Sequence, residues 1–186
     1  VRDMLSAAAD RVRQYHVHQR EGGFRFVDAT GVELGVRVRP IEAAGVYAPG
    51  GKARYPSTVL MTAVPASVAG VKRIVLATPN PTPEILAAAE IAGVTEVVDL
   101  GGAQAIAALA YGTASVGRVD KIVGPGNLYV ACAKKMVFGL VGIDSIAGPS
   151  EILVVADASA TPAAIVREMI AQAEHDPEAS CVAVVV

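Results

Sequence analysis

The feature that most constrains the fold is a series of short apolar segments, each followed by a Gly- or Pro-rich turn and then by a helical pattern. Four such segments predict strands, at Gly45-Val46-Tyr47, Arg73–Ala77, Glu96–Leu100 and Val119–Val123. Strands separated by single helices pair in parallel, and right-handed crossovers then build an open sheet. The sequence therefore predicts an α/β fold, with an open, mostly parallel Rossmann-like sheet domain over residues 45–147.

The segments on either side of this domain predict pieces of a second one. Residues 2–19 predict an amphipathic helix, and residues 24–38 predict a hairpin. Residues 148–186 predict a strand, a helix and a last strand. Because one β-α-β piece cannot bury its own apolar faces, we expect it to be an incomplete second α/β domain that packs with residues 1–44 and with further sequence. We also expect the chain to be a fragment of a longer protein.

Composition argues against several classes of partner. The net charge is −2 and the sequence has no long basic run, so we expect neither a nucleic acid nor a membrane surface as a partner. No apolar run is long enough to span a bilayer, and none resembles a signal peptide. Cys132 and Cys181 follow no metal or disulfide spacing, so we expect buried free thiols in a cytoplasmic protein.

Candidate binding segments follow the predicted strands. The ligand crevice of an open parallel sheet lies outside the carboxyl ends of its strands. Those ends carry Tyr47–Gly51, Thr78–Pro81, Gly101–Gln104 and Gly124–Asn127. Glycine-rich turns let a ligand approach the backbone closely. Neither a Gly-x-Gly-x-x-Gly fingerprint nor a phosphate loop is present, so the sheet alone predicts only a crevice of nucleotide size.

Single side chains in these segments leave alternatives open. Tyr47 could pack its ring on a planar cofactor or serve as an ordinary strand residue. Gln104, in the first turn of a helix, could bind a ribose or base or simply face water. Asn127 could bind a ligand or cap a helix, and these roles are compatible. We expect Lys134 to solvate its helix surface, and Asp144 has no partner at acid–base spacing.

One pair near the carboxyl end of the chain suggests a metal site. Gln172 and His175 are three residues apart, so on a helix they share one face. A carboxamide oxygen and an imidazole nitrogen placed in this way could both reach a metal ion. The alternative is that the histidine is a solvated residue at a helix C-terminus, where it interacts with the helix dipole.

Four segments in order carry a family resemblance. They are Tyr47–Gly51, the stretch Gly101–Thr113, the stretch Val119–Asn127, and Gly142–Glu151 followed by Gln172–His175. Together they resemble the middle portion of the histidinol dehydrogenase family, over essentially all 186 residues. The resemblance implies two incomplete Rossmann-like domains, an intertwined homodimer, and oxidation of L-histidinol to L-histidine through L-histidinal with NAD and a bound Zn²⁺.

The resemblance also implies roles for particular residues. It implies that Tyr47, Gln104 and Asn127 contact NAD. It makes Ser150 a substrate contact, and it makes Gln172 and His175 ligands of both the metal and the substrate.

The same resemblance places the remaining chemistry beyond Val186. The other two zinc ligands, an Asp and a second His, and the Glu-His pair that acts as general acid and base have no counterpart in this sequence. We therefore expect no catalytic residue here and no activity from residues 1–186 alone. Two alternatives stay open. One is a sister dehydrogenase for another small alcohol, such as a sulfonated diol, which the two cations Lys52 and Arg54 near the crevice keep open. The other is a non-catalytic chain that binds nucleotide.

Overall fold

A computed structural model describes residues 1–50, 54–146, 148, 150–174 and 178–186. The chain divides into two compact units, Val1–Ile146 and Ala147–Val186. Both units contain parallel strands joined by helices, and the predicted α/β class is confirmed.

The first unit contains five helices and seven strands among its described residues. In chain order they are α1 (Arg2–Val17), β1 (Phe24–Val27), β2 (Glu33–Val36), β3 (Ala43–Tyr47), α2 (Pro56–Ala69), β4 (Arg73–Ala77), α3 (Pro83–Ala92), β5 (Glu96–Val98), α4 (Gly102–Tyr111), β6 (Lys121–Val123), α5 (Leu128–Val137) and β7 (Gly142–Ile143). Within the described ranges, no helix of the chain is both long and apolar enough to cross a membrane.

The central sheet has five strands in the order β5-β4-β3-β6-β7, and every neighbouring pair is parallel. β3 is the middle strand: Gly45 pairs with Val75 of β4 on one side and with Ile122 of β6 on the other. The chain therefore adds β4 and β5 on one side of β3. It then returns through α4 and adds β6 and β7 on the other side. β7 was not predicted, because two residues are too few to show a strand period.

Two apolar clusters cover the faces of this sheet. On one face, Val46, Ile74 and Leu76 pack against residues of α2 and α3. On the other face, Val75 and Ile122 pack against residues of α4 and α5. Successive strand residues thus point to opposite faces, and both faces are apolar, as expected for a parallel sheet that is covered by helices on both sides.

The N-terminal segment lies in the first unit. Ala9 of α1 is buried in the cluster that α2 and α3 form, and Arg2 makes a two-pronged ion pair with Glu90 of α3 at 2.8 and 3.1 Å. β1 and β2 form the predicted antiparallel hairpin, and their residues are exposed. The sequence assigned residues 1–44 to the second domain. Within this chain they group with the first unit, and their place in the whole protein stays a prediction.

The second unit is a β-α-β piece, as the sequence predicts. It consists of β8 (Glu151–Ala156), α6 (Pro162–Ala173) and β9 (Ser180–Val185), and its two strands pair in parallel. The cysteines are free thiols, but Cys132 is exposed and Cys181 is only half-buried. The expectation of two buried thiols is therefore wrong, because Cys132 lies on the solvent side of α5 rather than on its buried stripe.

Candidate functional site

The centre of the sheet defines the candidate site. β3 has β4 on one side and β6 on the other, and the chain reaches these neighbours by crossovers that run in opposite directions along the sheet. This is a topological switch point, where the helices that follow the two strands diverge and leave a crevice. The site is therefore expected outside the carboxyl ends of β3 and β6.

Tyr47, the last residue of β3, joins the surrounding turns. Its side chain is only 4% exposed and belongs to the apolar cluster beneath α4 and α5. Its hydroxyl accepts a hydrogen bond at 3.1 Å from the backbone N–H of Gly102, the first residue of α4. Of the two sequence interpretations, the structure favours strand packing. The ring is largely covered, and the hydroxyl fixes the start of α4.

Gly124 follows β6 and touches β3 directly. Its φ is +123°, and a Cβ atom on it would lie 2.1 Å from the carbonyl oxygen of Tyr47. At Gly126 a Cβ atom would lie 2.3 Å from Cγ1 of Val130. No side chain fits at either distance. These glycines are required by close packing of the turn, in addition to any access that they give to a ligand.

Asn127 is the N-cap of α5. Its Oδ1 accepts a hydrogen bond at 3.1 Å from the N–H of Val130, so the capping hypothesis is confirmed. The side chain is on an exposed residue, and its NH₂ donors take no part in the cap. Capping therefore leaves hydrogen-bonding capacity for a ligand at this edge of the sheet.

Gln104 lies at the same edge. It is exposed in the first turn of α4, and its Oε1 lies 2.9 Å from where a Cβ atom on Gly102 would be. The carboxamide therefore bends back over the N-terminus of α4. Gly102 is hydrogen-bonded to the Tyr47 hydroxyl, and Gly124 packs against the Tyr47 carbonyl. The turns that carry Gln104 and Asn127 therefore meet around this tyrosine.

Pro79 brings the turn after β4 into the same group. A Cβ atom at Gly50 would lie 2.4 Å from the oxygen of Pro79, and one at Gly101 would lie 2.9 Å from its Cγ. Arg54 donates hydrogen bonds to the carbonyls of Gly50 at 3.0 Å and Pro79 at 3.2 Å. This guanidinium therefore links the turn that follows β3 to the turn that follows β4. Lys52, the other cation noted in the sequence, lies outside the described residues.

A lysine and an aspartate that the sequence interpretation set aside are part of this site. Lys134 is only 3% exposed, and its Nζ donates to the carbonyl of Gly124 at 3.0 Å and forms an ion pair with Asp144. Asp144 in turn accepts from the N–H of Gly124 at 2.8 Å. The prediction that Lys134 solvates the helix surface is therefore wrong, and Asp144 is not an isolated carboxylate.

The sequence contains one signal for the buried lysine. Lys134 falls on the helical stripe that also contains Val130, Ala131 and Val137, all of which are buried. A cation on an apolar stripe calls for a partner. The identity of that partner has no local signature, because Asp144 is ten residues further along the chain, after β7.

The carboxylate of Asp144 is held as an anion. Partial burial raises its pKa. The hydrogen bond from Lys134, with the backbone N–H groups of Gly124 and Ser145 and the charge of Lys134, outweighs that effect and brings the pKa below its usual value. Asp144 is therefore an anion at neutral pH, and its charge lies against the amino group of Lys134.

The predicted metal and substrate residues belong to the second unit. Ser150 is exposed immediately before β8, and its carbonyl accepts from the N–H of Ser180 at 3.2 Å. Gln172 is half-buried in the last turn of α6, and His175 lies outside the described residues. Their grouping is therefore not tested. Among the residues that the structure describes, no group of three or more His, Cys, Asp or Glu side chains could hold a metal ion.

Comparison with known proteins identifies the family. The family model described as histidinol dehydrogenase matches residues 1–186. The chain belongs to the histidinol dehydrogenase family. It is 58% identical to the histidinol dehydrogenase of Pseudomonas aeruginosa and 57% identical to that of Aquifex aeolicus, in each case over 98% of the chain and 42% of the relative.

A solved structure agrees with this assignment. The crystal structure of histidinol dehydrogenase from Elizabethkingia anophelis superimposes with a TM-score of 0.88 at 40% identity, over 96% of this chain and 42% of that one. The chain thus spans about 42% of the length of the histidinol dehydrogenases it matches. The family resemblance drawn from the sequence is confirmed, and the sister-dehydrogenase alternative is not favoured.

The close contact at Gly124 gives a testable prediction. Gly124→Ala adds a methyl group against the Tyr47 carbonyl, and we expect it to lower the free energy of unfolding by about 3 kcal/mol or more. Gly139→Ala is the matched control. Gly139 also has a positive φ, +96°, but open space around its Cβ position, so we expect a loss of only about 1–2 kcal/mol. Urea denaturation of both variants measures the difference, and equal losses would contradict the packing argument.

Proposed function

We propose that the whole protein is an NAD- and zinc-dependent dehydrogenase that oxidises L-histidinol to L-histidine through L-histidinal, and that the first unit carries its NAD crevice. The observation that carries this proposal is the meeting of the turns after β3, β5 and β6 around Tyr47, at the switch point of the sheet. It stands together with membership of the histidinol dehydrogenase family.

The residues around the crevice fit a dinucleotide. The helices α4 and α5 both begin there, and helix N-termini favour the negative charge of phosphate groups. The exposed carboxamides of Gln104 and Asn127 offer both donors and acceptors to ribose hydroxyls or to a nicotinamide amide. The carboxylate of Asp144 is paired with Lys134, which offsets its repulsion of an anionic ligand.

Each residue then has a distinct role. Bound NAD would accept the hydride that leaves the carbinol carbon of the substrate. Gln104 and Asn127 would orient the dinucleotide by hydrogen bonds. Tyr47, being nearly buried, would act mainly by holding the first peptide of α4 beside the dinucleotide.

The zinc site would be completed only in the whole protein. We propose that Gln172 and His175 supply two of its ligands and that Ser150 contacts the substrate beside them. A tight zinc site needs three or four ligands, and the described residues hold no such group. The other ligands and the general acid and base would therefore come from outside this sequence. By the same family resemblance, we propose an intertwined homodimer in the cytoplasm.

Asn127 allows cofactor contact to be separated from capping. Asn127→Ser keeps a side-chain oxygen that can accept from the Val130 N–H, but it removes the carboxamide. We expect unchanged thermal stability in the whole protein and a Kd for NAD that rises about tenfold, as for the loss of about 1.4 kcal/mol of binding. Calorimetric titration with NAD measures this. Asn127→Ala should lower both the thermal stability and the affinity for NAD. A serine variant that binds NAD as tightly as the unaltered protein would exclude a contact between the Asn127 carboxamide and NAD.

Substrate turnover tests the proposed reaction. The whole protein should reduce NAD with L-histidinol and not with sulfonated diols, when NADH is followed by its absorbance. Residues 1–186 alone, with added zinc, should produce no NADH, because they lack the predicted acid–base pair and two metal ligands. Turnover of a sulfonated diol in preference to histidinol would overturn the substrate assignment, and histidinol turnover by residues 1–186 would overturn the division of the site.

A further inference from the structure

A closed ring of polar contacts surrounds Gly124, directly behind the proposed crevice. The N–H of Gly124 donates to Oδ2 of Asp144 at 2.8 Å, and its carbonyl accepts from Nζ of Lys134 at 3.0 Å. The ring is closed by the ion pair between Lys134 and Asp144. Both backbone polar groups of one residue are therefore held by a lysine from α5 and an aspartate that follows β7.

Packing alone does not account for a lysine at this position. Lys134 is 3% exposed and lies on a stripe of apolar residues. A buried ion pair is often no more stabilising than apolar side chains of similar volume. Methionine could fill the same space, but it could donate nothing to the Gly124 carbonyl. What the lysine adds is a fixed position for that carbonyl.

The position of Gly124 determines the path of the turn. Gly124 is the first residue after β6, at the point where the β3–β6 ladder ends with the pair Val46–Val123. Asn127, at the other end of the turn, is fixed as the cap of α5. With both ends held, the turn through Pro125 and Gly126 has less conformational freedom, and the Asn127 side chain is held at this edge of the sheet.

We propose that Lys134 and Asp144 are positioning residues for dinucleotide binding, which act by holding the turn 124–127 in its binding conformation. This inference rests on the proposed function of the crevice. A ligand binds more weakly in proportion to the fraction of protein in which its site is formed. Loss of the ring of contacts would let the turn leave this conformation. The affinity for NAD would then fall through the turn and not through a contact of the lysine, which is only 3% exposed.

A purely structural role makes a different prediction. If the pair only stabilised the fold, its loss would lower the unfolding temperature without a selective effect on NAD. Arg73 provides a matched control, since it also joins a carboxylate, that of Glu96 at 2.7 and 3.0 Å, and the carbonyls of Gly117 and Arg118, each at 3.0 Å. It does so at the amino ends of β4 and β5, away from the crevice.

The test compares Lys134→Met, Asp144→Asn and Arg73→Met in the whole protein. Calorimetric titration gives the Kd for NAD, steady-state kinetics give KM and kcat, and hydrogen exchange reports on residues 124–127. For Lys134→Met we expect Kd and KM for NAD to rise about tenfold, with kcat at saturating NAD changed less than about twofold. Exchange in residues 124–127 should become faster in the absence of NAD.

The control variants make the outcome decisive. Arg73→Met should lose stability but keep the Kd for NAD within about twofold. Asp144→Asn keeps an oxygen that can accept from the Gly124 N–H. It replaces the oxygen that accepts from Lys134 and Ser145 by an NH₂ group, so it removes the ion pair. Because one contact of the turn and Lys134 itself remain, we expect a smaller rise in Kd, and this variant tests the proposal if Lys134→Met does not fold. An unchanged Kd in both site variants, or an equal rise in Arg73→Met, would overturn the positioning role. Failure of the unaltered protein to bind NAD would instead overturn the proposed function, and with it this inference.

Discussion

The contact between Gly124 and the carbonyl of Tyr47 is the constraint on which the rest of the site depends. β3 and β6 are hydrogen-bonded up to Val46 and Val123, and directly afterwards the two chains pass so closely that only hydrogen fits at the α-carbon. The hydroxyl of the same tyrosine accepts a hydrogen bond from the N–H of Gly102, the first residue of α4. A single buried side chain and a single glycine therefore bring the starts of α4 and α5 to one edge of the sheet, where their N-termini face the proposed ligand.

The fold could be predicted from the sequence to a large extent, because its signals are local. Apolar runs bounded by Gly and Pro mark β4 and β6, and Pro83 and Gly93 mark the two ends of α3. β7 escaped prediction because it is two residues long. The site was predicted in part: the turns are those expected at strand ends, and Asn127 caps α5 as one interpretation held. The cofactor contacts themselves stay predictions.

The pair of Lys134 and Asp144 shows why the remainder could not be predicted. Its existence depends on β7, the undetected strand that carries the chain from α5 to Asp144 on the far side of β6. Spacing rules find partners three or four residues apart on a helix, whereas this pair is formed by tertiary structure. A charged residue on an apolar stripe was the one local sign, and it indicates that a partner exists without indicating which residue it is.

The central claim is that the edge of the sheet around Tyr47, Gln104 and Asn127 binds NAD. Hydrogen exchange of the whole protein, measured with and without NAD, tests it most directly. The account predicts that NAD slows exchange in residues 47–50, 101–104 and 124–127 and leaves residues 117–120, at the amino end of β6, unchanged. No slowing in residues 124–127, or equal slowing at the two ends of the sheet, would contradict it.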